Sequence, residues 1–190
     1  MMKRLIVGIS GASGALYGVR LLQVLKDCPQ IESHLIMSQA ARQTLSLETD
    51  FSLREVTELA DVVHDVRDIA ASVSSGSFRC HGMVILPCSM KTLSAIVNSY
   101  TDELLSRAAD VTLKERKPLV LCVRETPLHL GHLRLMTQAA ELGAVIMPPM
   151  PAFYHRPETI GDIIDQTVCR VLDQFDIETD LFTRWQGGKS

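Results

Sequence analysis

What most constrains this chain is an alternation. Short, almost continuously apolar runs recur between longer stretches whose apolar residues fall at helical spacing. Leu5-Ile6-Val7-Gly8-Ile9 is closed by Ser10-Gly11, and a run of that kind reads as a strand buried on both faces. Ala15 to Leu25 then carries apolar residues at helical spacing and stops before Pro29, where a helix is expected to end. His34 to Met37 repeats the strand pattern, with Ser38 positioned to cap a short helix running to Leu45. Met83 to Leu86, Pro118 to Val123 and Ala144 to Met147 are further apolar runs, the first expected to end at Pro87. Helical stretches are expected at Leu93 to Val97, Glu103 to Arg116, Leu128 to Leu142 and Glu158 to Phe175. Between Asp50 and His81 only a helical turn at Leu53 to Val56 stands out, and Ala70 to Ser77 is small and polar, as a loop is.

Apolar strands alternating with helices mean a parallel sheet covered on both faces. The expectation is a single α/β domain over residues 1–190, doubly wound and Rossmann-like (flavodoxin-like), with a C-terminal tail from about residue 176. A chain of 190 residues, 46% of them hydrophobic, is long enough to bury such a core. With a net charge of −3 and no basic run, nucleic acid and anionic membrane are not expected partners. No stretch reaches the ~18 apolar residues of a membrane span. Five scattered cysteines without a C-x-x-C pair fit neither a zinc framework nor a disulfide scaffold and suit a reducing, cytoplasmic setting. His129 and His132 have the spacing of a metal pair but no obvious third ligand, so they read as helix surface and no metal is expected.

In a doubly wound sheet, ligands sit beyond the carboxyl ends of the strands where the strand order reverses. The first such turn, Gly8 to Ala15, is made of small residues and opens a helix. Its free N–H groups and dipole favour an oxyanion, and Ser10 and Ser13 add hydroxyl donors. The spacing is neither G-x-G-x-x-G nor a Walker loop. The second strand ends in Met37-Ser38 rather than the acid that holds a ribose diol. NAD and ATP are disfavoured, and a mononucleotide such as FMN is retained; the plain alternative is a turn that only packs a helix on a strand. Pro87 to Thr92, Val123 to Pro127 and Pro151 to Pro157 are polar or charged segments at other strand ends, which points to the same rim. Cys88 follows a strand but has no histidine at a telling interval, and Trp185 reads as an exposed anchor or part of a wandering tail.

Taken together, Gly11-Ala12-Ser13-Gly14-Ala15, Pro87 to Ser94, Arg107 to Val111, Leu113 to Arg116, Arg124-Glu125-Thr126-Pro127 and Pro151 to Tyr154 resemble the UbiX-type flavin prenyltransferase family, from Leu5 to about Trp185. Asn98 to Glu103 departs from the family, whose members often carry a glycine-containing turn there. The resemblance implies a metal-free enzyme that joins a five-carbon group from dimethylallyl phosphate to N5 and C6 of reduced FMN. Its product would serve a UbiD-type decarboxylase. By the same likeness Gly11, Ala12, Ser13, Ser38, Ser89, Met90, Lys91, Thr92 and Arg124 contact FMN. Arg107, Lys114, Tyr154 and Arg170 hold the allylic phosphate, and Ser13, Glu48, Lys114 and Glu125 are catalytic. The family also implies a homo-oligomer, a dodecamer built from trimers.

Elementary chemistry accommodates these roles. Ionising an allylic phosphate needs cations at the leaving group and negative or π-rich groups at the allyl carbons. Arg107 and Lys114 lie seven apart, on one helix face about 10 Å from end to end; the plain alternative is an Asp110–Lys114 surface pair. Arg170, lone among apolar neighbours, otherwise reads as a snorkelling side chain. Tyr154 can donate to phosphate or simply pack. Glu125 can move a proton if burial raises its pKa, and Ser13 can relay it. Glu48 can face a cationic centre or merely end a helix in water. Two other functions share the fold: an FMN-dependent decarboxylase of cysteinyl substrates, whose histidine and Asn-Met loop have no counterpart in Pro149 to Phe153, and a flavin carrier without chemistry.

Overall fold

A computed structural model describes residues 2–184 and 187. Six strands and seven helices follow one another as β1 (Lys3–Ile9), α1 (Ala15–Lys26), β2 (Ile31–Met37), α2 (Gln39–Glu48), α3 (Leu53–Thr57), β3 (Val62–His64), β4 (Gly82–Cys88), α4 (Met90–Val97), α5 (Leu104–Lys114), β5 (Leu119–Val123), α6 (Leu130–Glu141), β6 (Val145–Ile146) and α7 (Ile160–Asp173). The strands form one sheet in the order β3-β2-β1-β4-β5-β6, and every pairing is parallel. This is the doubly wound α/β fold expected. The chain winds outward from β1 through β2 to β3, crosses back to β4 beside β1, and winds out the other way. The strand order therefore reverses between β1 and β4.

Side-chain alternation along the strands builds two cores. Leu5, Val7 and Ile9 of β1 face α1, α2 and α7 with Leu21, Leu22, Leu45, Val168 and Leu172. On the other face Ile6, Met83, Ile85 and Leu121 pack under α4, α5 and α6 with Leu93, Leu105 and Ala139. Each fully buried Leu or Ile contributes roughly 1.5–3 kcal/mol, which is why the central strands are unbroken apolar runs.

Two differences from the sequence pattern have local causes. Strand β4 does not stop at Pro87 but runs on to Cys88, with a register irregularity between Ile85 and Cys88; a proline without an N–H is tolerated at such a bulge. The stretch 50–81, read without any strand, holds the three-residue edge strand β3, whose Val63 is exposed. Elsewhere helix starts follow their caps. Ser38 accepts from the Ala41 N–H, Ser52 and Glu55 form a capping box, and Thr159 and Asp162 form another at α7. Trp185 lies outside the described residues. Among those described, no helix is long and apolar enough to cross a membrane.

Candidate active site

Four loops meet at the carboxyl rim where β1 and β4 lie side by side, and hydrogen bonds fasten them to one another. The Ser10 N–H donates to the Pro87 carbonyl at 3.2 Å, and the Ser38 N–H donates to the Ile9 carbonyl at 3.0 Å. The Arg124 N–H donates to the Cys88 carbonyl at 3.0 Å. The fully buried Ser10 side chain completes the join: its Oγ donates to the Pro87 carbonyl (2.8 Å) and accepts from the Ser89 N–H (2.7 Å). Ser10 is therefore a lock between β1 and β4, not the anion donor its place in the small-residue turn indicated.

The lock sets two helix N-termini on opposite sides of one cleft. Ser38 caps α2 through the Ala41 N–H (3.1 Å), and Ser89 caps α4 through the Thr92 N–H (3.3 Å). Thr92 Oγ1 lies 3.1 Å from Ser89 Oγ. Between them is a cavity of about 410 Å³ lined by Gly11, Ser38, Gln39, Ala40, Gln43, Ser89, Lys91, Thr92 and Glu103. Five of these, Gly11, Ser38, Ser89, Lys91 and Thr92, were singled out from the sequence; Gln39, Ala40, Gln43 and Glu103 were not. Gln39, Ala40 and Gln43 lie in the first turns of the helix expected after Ser38, whose start on the rim was the signal that could have found them. Gly11 is required for close approach, because a Cβ there would overlap the Ala40 side chain. Lys91 is exposed and held at 3.4 Å by Glu103. Met90 opens α4 half-buried against the second core, and Ala12 is buried beside Gly11.

The start of α1 departs from expectation. Its N–H groups are not open to an incoming anion, because Glu48 Oε2 accepts from Gly14 N at 2.7 Å and Ala15 N at 3.3 Å. Gly14 reaches this geometry at φ +102°, a backbone region suited to glycine. Partial loss of water raises the Glu48 pKa, but hydrogen bonds from Ser13 and the two N–H groups, with the Arg124 charge nearby, outweigh it and hold the carboxyl below its ordinary value. Ser13, Glu48 and Arg124 thus stand together next to the cleft. Glu125 is exposed on the same loop, its Oε1 accepting from the Thr126 N–H at 2.9 Å, so a single chain does not supply the burial on which its expected proton-moving role depends.

The four residues assigned to the allylic phosphate do not meet within one chain. Helix α5 starts at the rim, where Glu103 reaches Lys91, and runs ~16 Å back toward the amino ends of the strands. It ends at Lys114, just ahead of β5. Arg107 pairs with Asp110 (3.1 Å), and Lys114 pairs with Glu115 rather than with Asp110. Tyr154 and Arg170 lie on the opposite face of the sheet, with α7. The Tyr154 hydroxyl accepts from Gln166 (3.3 Å), and Arg170, not snorkelling alone, pairs with Asp173 (3.0 Å). Gln166 is a further residue the sequence reading passed over.

Other reactive side chains are accounted for by packing. Cys88 is fully buried and its thiol is pushed up to about 12 by desolvation, so it stays protonated. His129 is exposed at the start of α6, as a helix-surface residue is, and is its N-cap, with Nδ1 accepting from the Gly131 N–H at 3.0 Å. Among the described residues, no group of three or more His, Cys, Asp or Glu is arranged to hold a metal ion.

Comparison with known proteins adds a family. The Flavoprotein family model matches residues 1–171. Flavin prenyltransferase UbiX of Escherichia coli (strain K12) is 80% identical over 188 residues, covering 98% of this chain and 100% of that protein. The crystal structure of AnUbiX (PadA1) in complex with FMN and dimethylallyl pyrophosphate superposes with a TM-score of 0.97 at 50% identity, covering 100% of both chains. A dodecameric FMN-dependent UbiX-like decarboxylase from Escherichia coli O157:H7 gives a TM-score of 0.95 at 53% identity, covering 97% of this chain and 100% of that one.

Proposed function

This chain belongs to the flavoprotein family as a UbiX-type flavin prenyltransferase, and from that premise we propose how its own residues divide the work of moving a prenyl group onto FMN. The enzyme binds FMN and uses a dimethylallyl donor. The observation that carries our division of labour is the cleft at the β1/β4 reversal, where residues of four separate segments surround one cavity.

The cleft suits a flavin mononucleotide. Two capped helix N-termini, the Lys91 ammonium and the Thr92 hydroxyl offer donors to a phosphate. Bound there in reduced form, the flavin supplies an electron-rich ring, with N5 and C6 as the atoms that take the five-carbon group. Gly11 and Ala12 let the backbone lie close to it, and Glu48, with Ser13 and Arg124 beside it, stands next to it. In this reading Glu48 provides negative charge near the developing allyl cation, and Glu125 moves the proton released as the ring closes, through Ser13.

Arg107, Lys114, Tyr154 and Arg170 supply the positive and hydrogen-bonding groups for the leaving phosphate. Their dispersal over one chain supports a shared site, in which α5 and α7 of neighbouring copies complete a cleft. The dodecameric UbiX-like relative supports such an assembly. The donor we assign is dimethylallyl phosphate, and the recipient of the modified flavin is a UbiD-type decarboxylase, with the enzyme acting in the cytoplasm.

Anaerobic incubation with reduced FMN and dimethylallyl phosphate tests the assignment. A flavin heavier by one five-carbon unit is expected, with stoichiometric inorganic phosphate. Bound FMN with no change in mass would overturn it. Glu125→Gln should bind FMN and lose turnover, whereas a simple carrier would be unaffected.

A further inference from the structure

Gln166 is only 6% exposed, yet it carries an amide on the side of α7 that packs into the protein. Its neighbours Ile164, Val168, Val171 and Leu172 are core residues. Burying an amide without a partner is costly, so the identity of its partner decides why it is there. That partner is the Tyr154 hydroxyl, 3.3 Å from Gln166 Nε2. An amide nitrogen only donates. The phenol oxygen therefore accepts from Gln166, and its own proton is directed away from that amide. A hydroxyl that accepts one hydrogen bond also becomes a better donor in another.

The geometry continues along the helix. Arg170 is four residues beyond Gln166 and so lies on the same face, one turn away. Asp173 in turn holds Arg170 at 3.0 Å. Gln166, which holds the phenol of the preceding loop, and Arg170, held by Asp173, thus lie one turn apart on α7.

We infer that Gln166 is a positioning residue for prenyl transfer: it fixes the Tyr154 hydroxyl as a hydrogen-bond donor to the departing phosphate. The inference rests on Tyr154 as a ligand of that phosphate. In the step it serves, the C–O bond of the allylic phosphate breaks and the electron pair leaves on the phosphate oxygen. The carbon forms its new bond to the reduced flavin. Tyr154 donates a hydrogen bond to the oxygen gaining charge, and no proton leaves Gln166. A donor aimed at charge that develops on bond breaking acts mainly on kcat rather than on KM.

The test compares Y154F, Q166M and Q166E, singly and combined, by anaerobic steady-state kinetics with dimethylallyl phosphate at saturating reduced FMN. Thermal melts and FMN titration establish that each variant is folded and loaded. Q166M, of similar volume but without the donor, should lower kcat about tenfold with KM for the prenyl donor and FMN affinity little changed. Q166E should lose more near neutral pH, because a carboxylate can only accept and draws the phenol proton to itself. Its activity should recover as pH falls and the introduced carboxyl gains a proton to donate. Adding either Gln166 variant to Y154F should cost nothing further. Impaired Y154F with fully active Q166M and Q166E would overturn the role of Gln166 alone, as would additive losses in the double variants. A fully active Y154F would overturn the phosphate role of Tyr154, and the role of Gln166 with it.

Discussion

At the scale of single residues, function turns on where hydroxyl and carboxylate groups spend their hydrogen bonds. Ser10 illustrates this. Ser10→Ala removes two hydrogen bonds and leaves the Ser89 N–H without its partner in a buried join. A loss of about 1–3 kcal/mol is expected, read as a lower urea midpoint at unchanged m. FMN binding should weaken alongside, because Ser89 starts the helix that lines the cleft. Unchanged stability and affinity would show that the lock is dispensable. The sequence displayed Ser10 in an inviting turn but hid its partner, since Pro87 is 77 positions away. Ser38 was legible for the opposite reason: a cap acts within three residues of itself. Glu48, equally, could not be placed from its own helix, because the N–H groups it binds belong to another.

At the scale of elements, legibility followed the continuity of the apolar run, so that even the two-residue β6 was announced by Ala144 to Met147. Strands β1, β2, β4 and β5 and the long helices declare themselves by period, whereas β3 has three residues and no alternation to read. What fastens β3 is a polar chain. His34 Nδ1 lies 3.0 Å from His64 Nε2, and His34 Nε2 lies 2.8 Å from Glu32, which also pairs with Arg4 at 2.8 Å. Phe78 covers this chain, edge-on to His34 and beneath Arg4. His64 is held below its ordinary pKa by burial and by His34 beside it, with Asp68 acting in the opposite direction. As pH falls, the unfolded chain takes up this proton before the folded one does. The stability contributed by neutral His64 is therefore complete above about pH 6.5, the ordinary value, and is lost as pH drops toward the lower folded value. Urea midpoints measured from pH 7.5 to 5 should decline, with β3 amides exchanging first. His64→Gln, which keeps a hydrogen-bonding side chain without the titration, should flatten that decline. An identical slope in the variant would place the acid sensitivity elsewhere.

At the scale of the whole molecule, the proposed chemistry is divided among places a single chain keeps apart. The cleft assigned to the flavin is at the carboxyl rim, Lys114 is at the far end of α5, and Tyr154 with Arg170 lies across the sheet. Co-expression of Lys114→Ala with Arg124→Ala tests whether copies share sites. Each variant alone should be nearly inactive, and mixed assemblies should regain part of the activity, since some clefts then combine an intact Arg124 with an intact Lys114. No recovery in demonstrably mixed assemblies would confine both residues to one chain. No reading of periodicity conveys this division, because it concerns the relation between copies. The sheet also limits how copies associate. Its outer strands, β3 and β6, hold three and two residues, too little backbone to template another strand. Growth by strand addition is thereby blocked, and the fibre-forming route open to flat sheets is closed to this one.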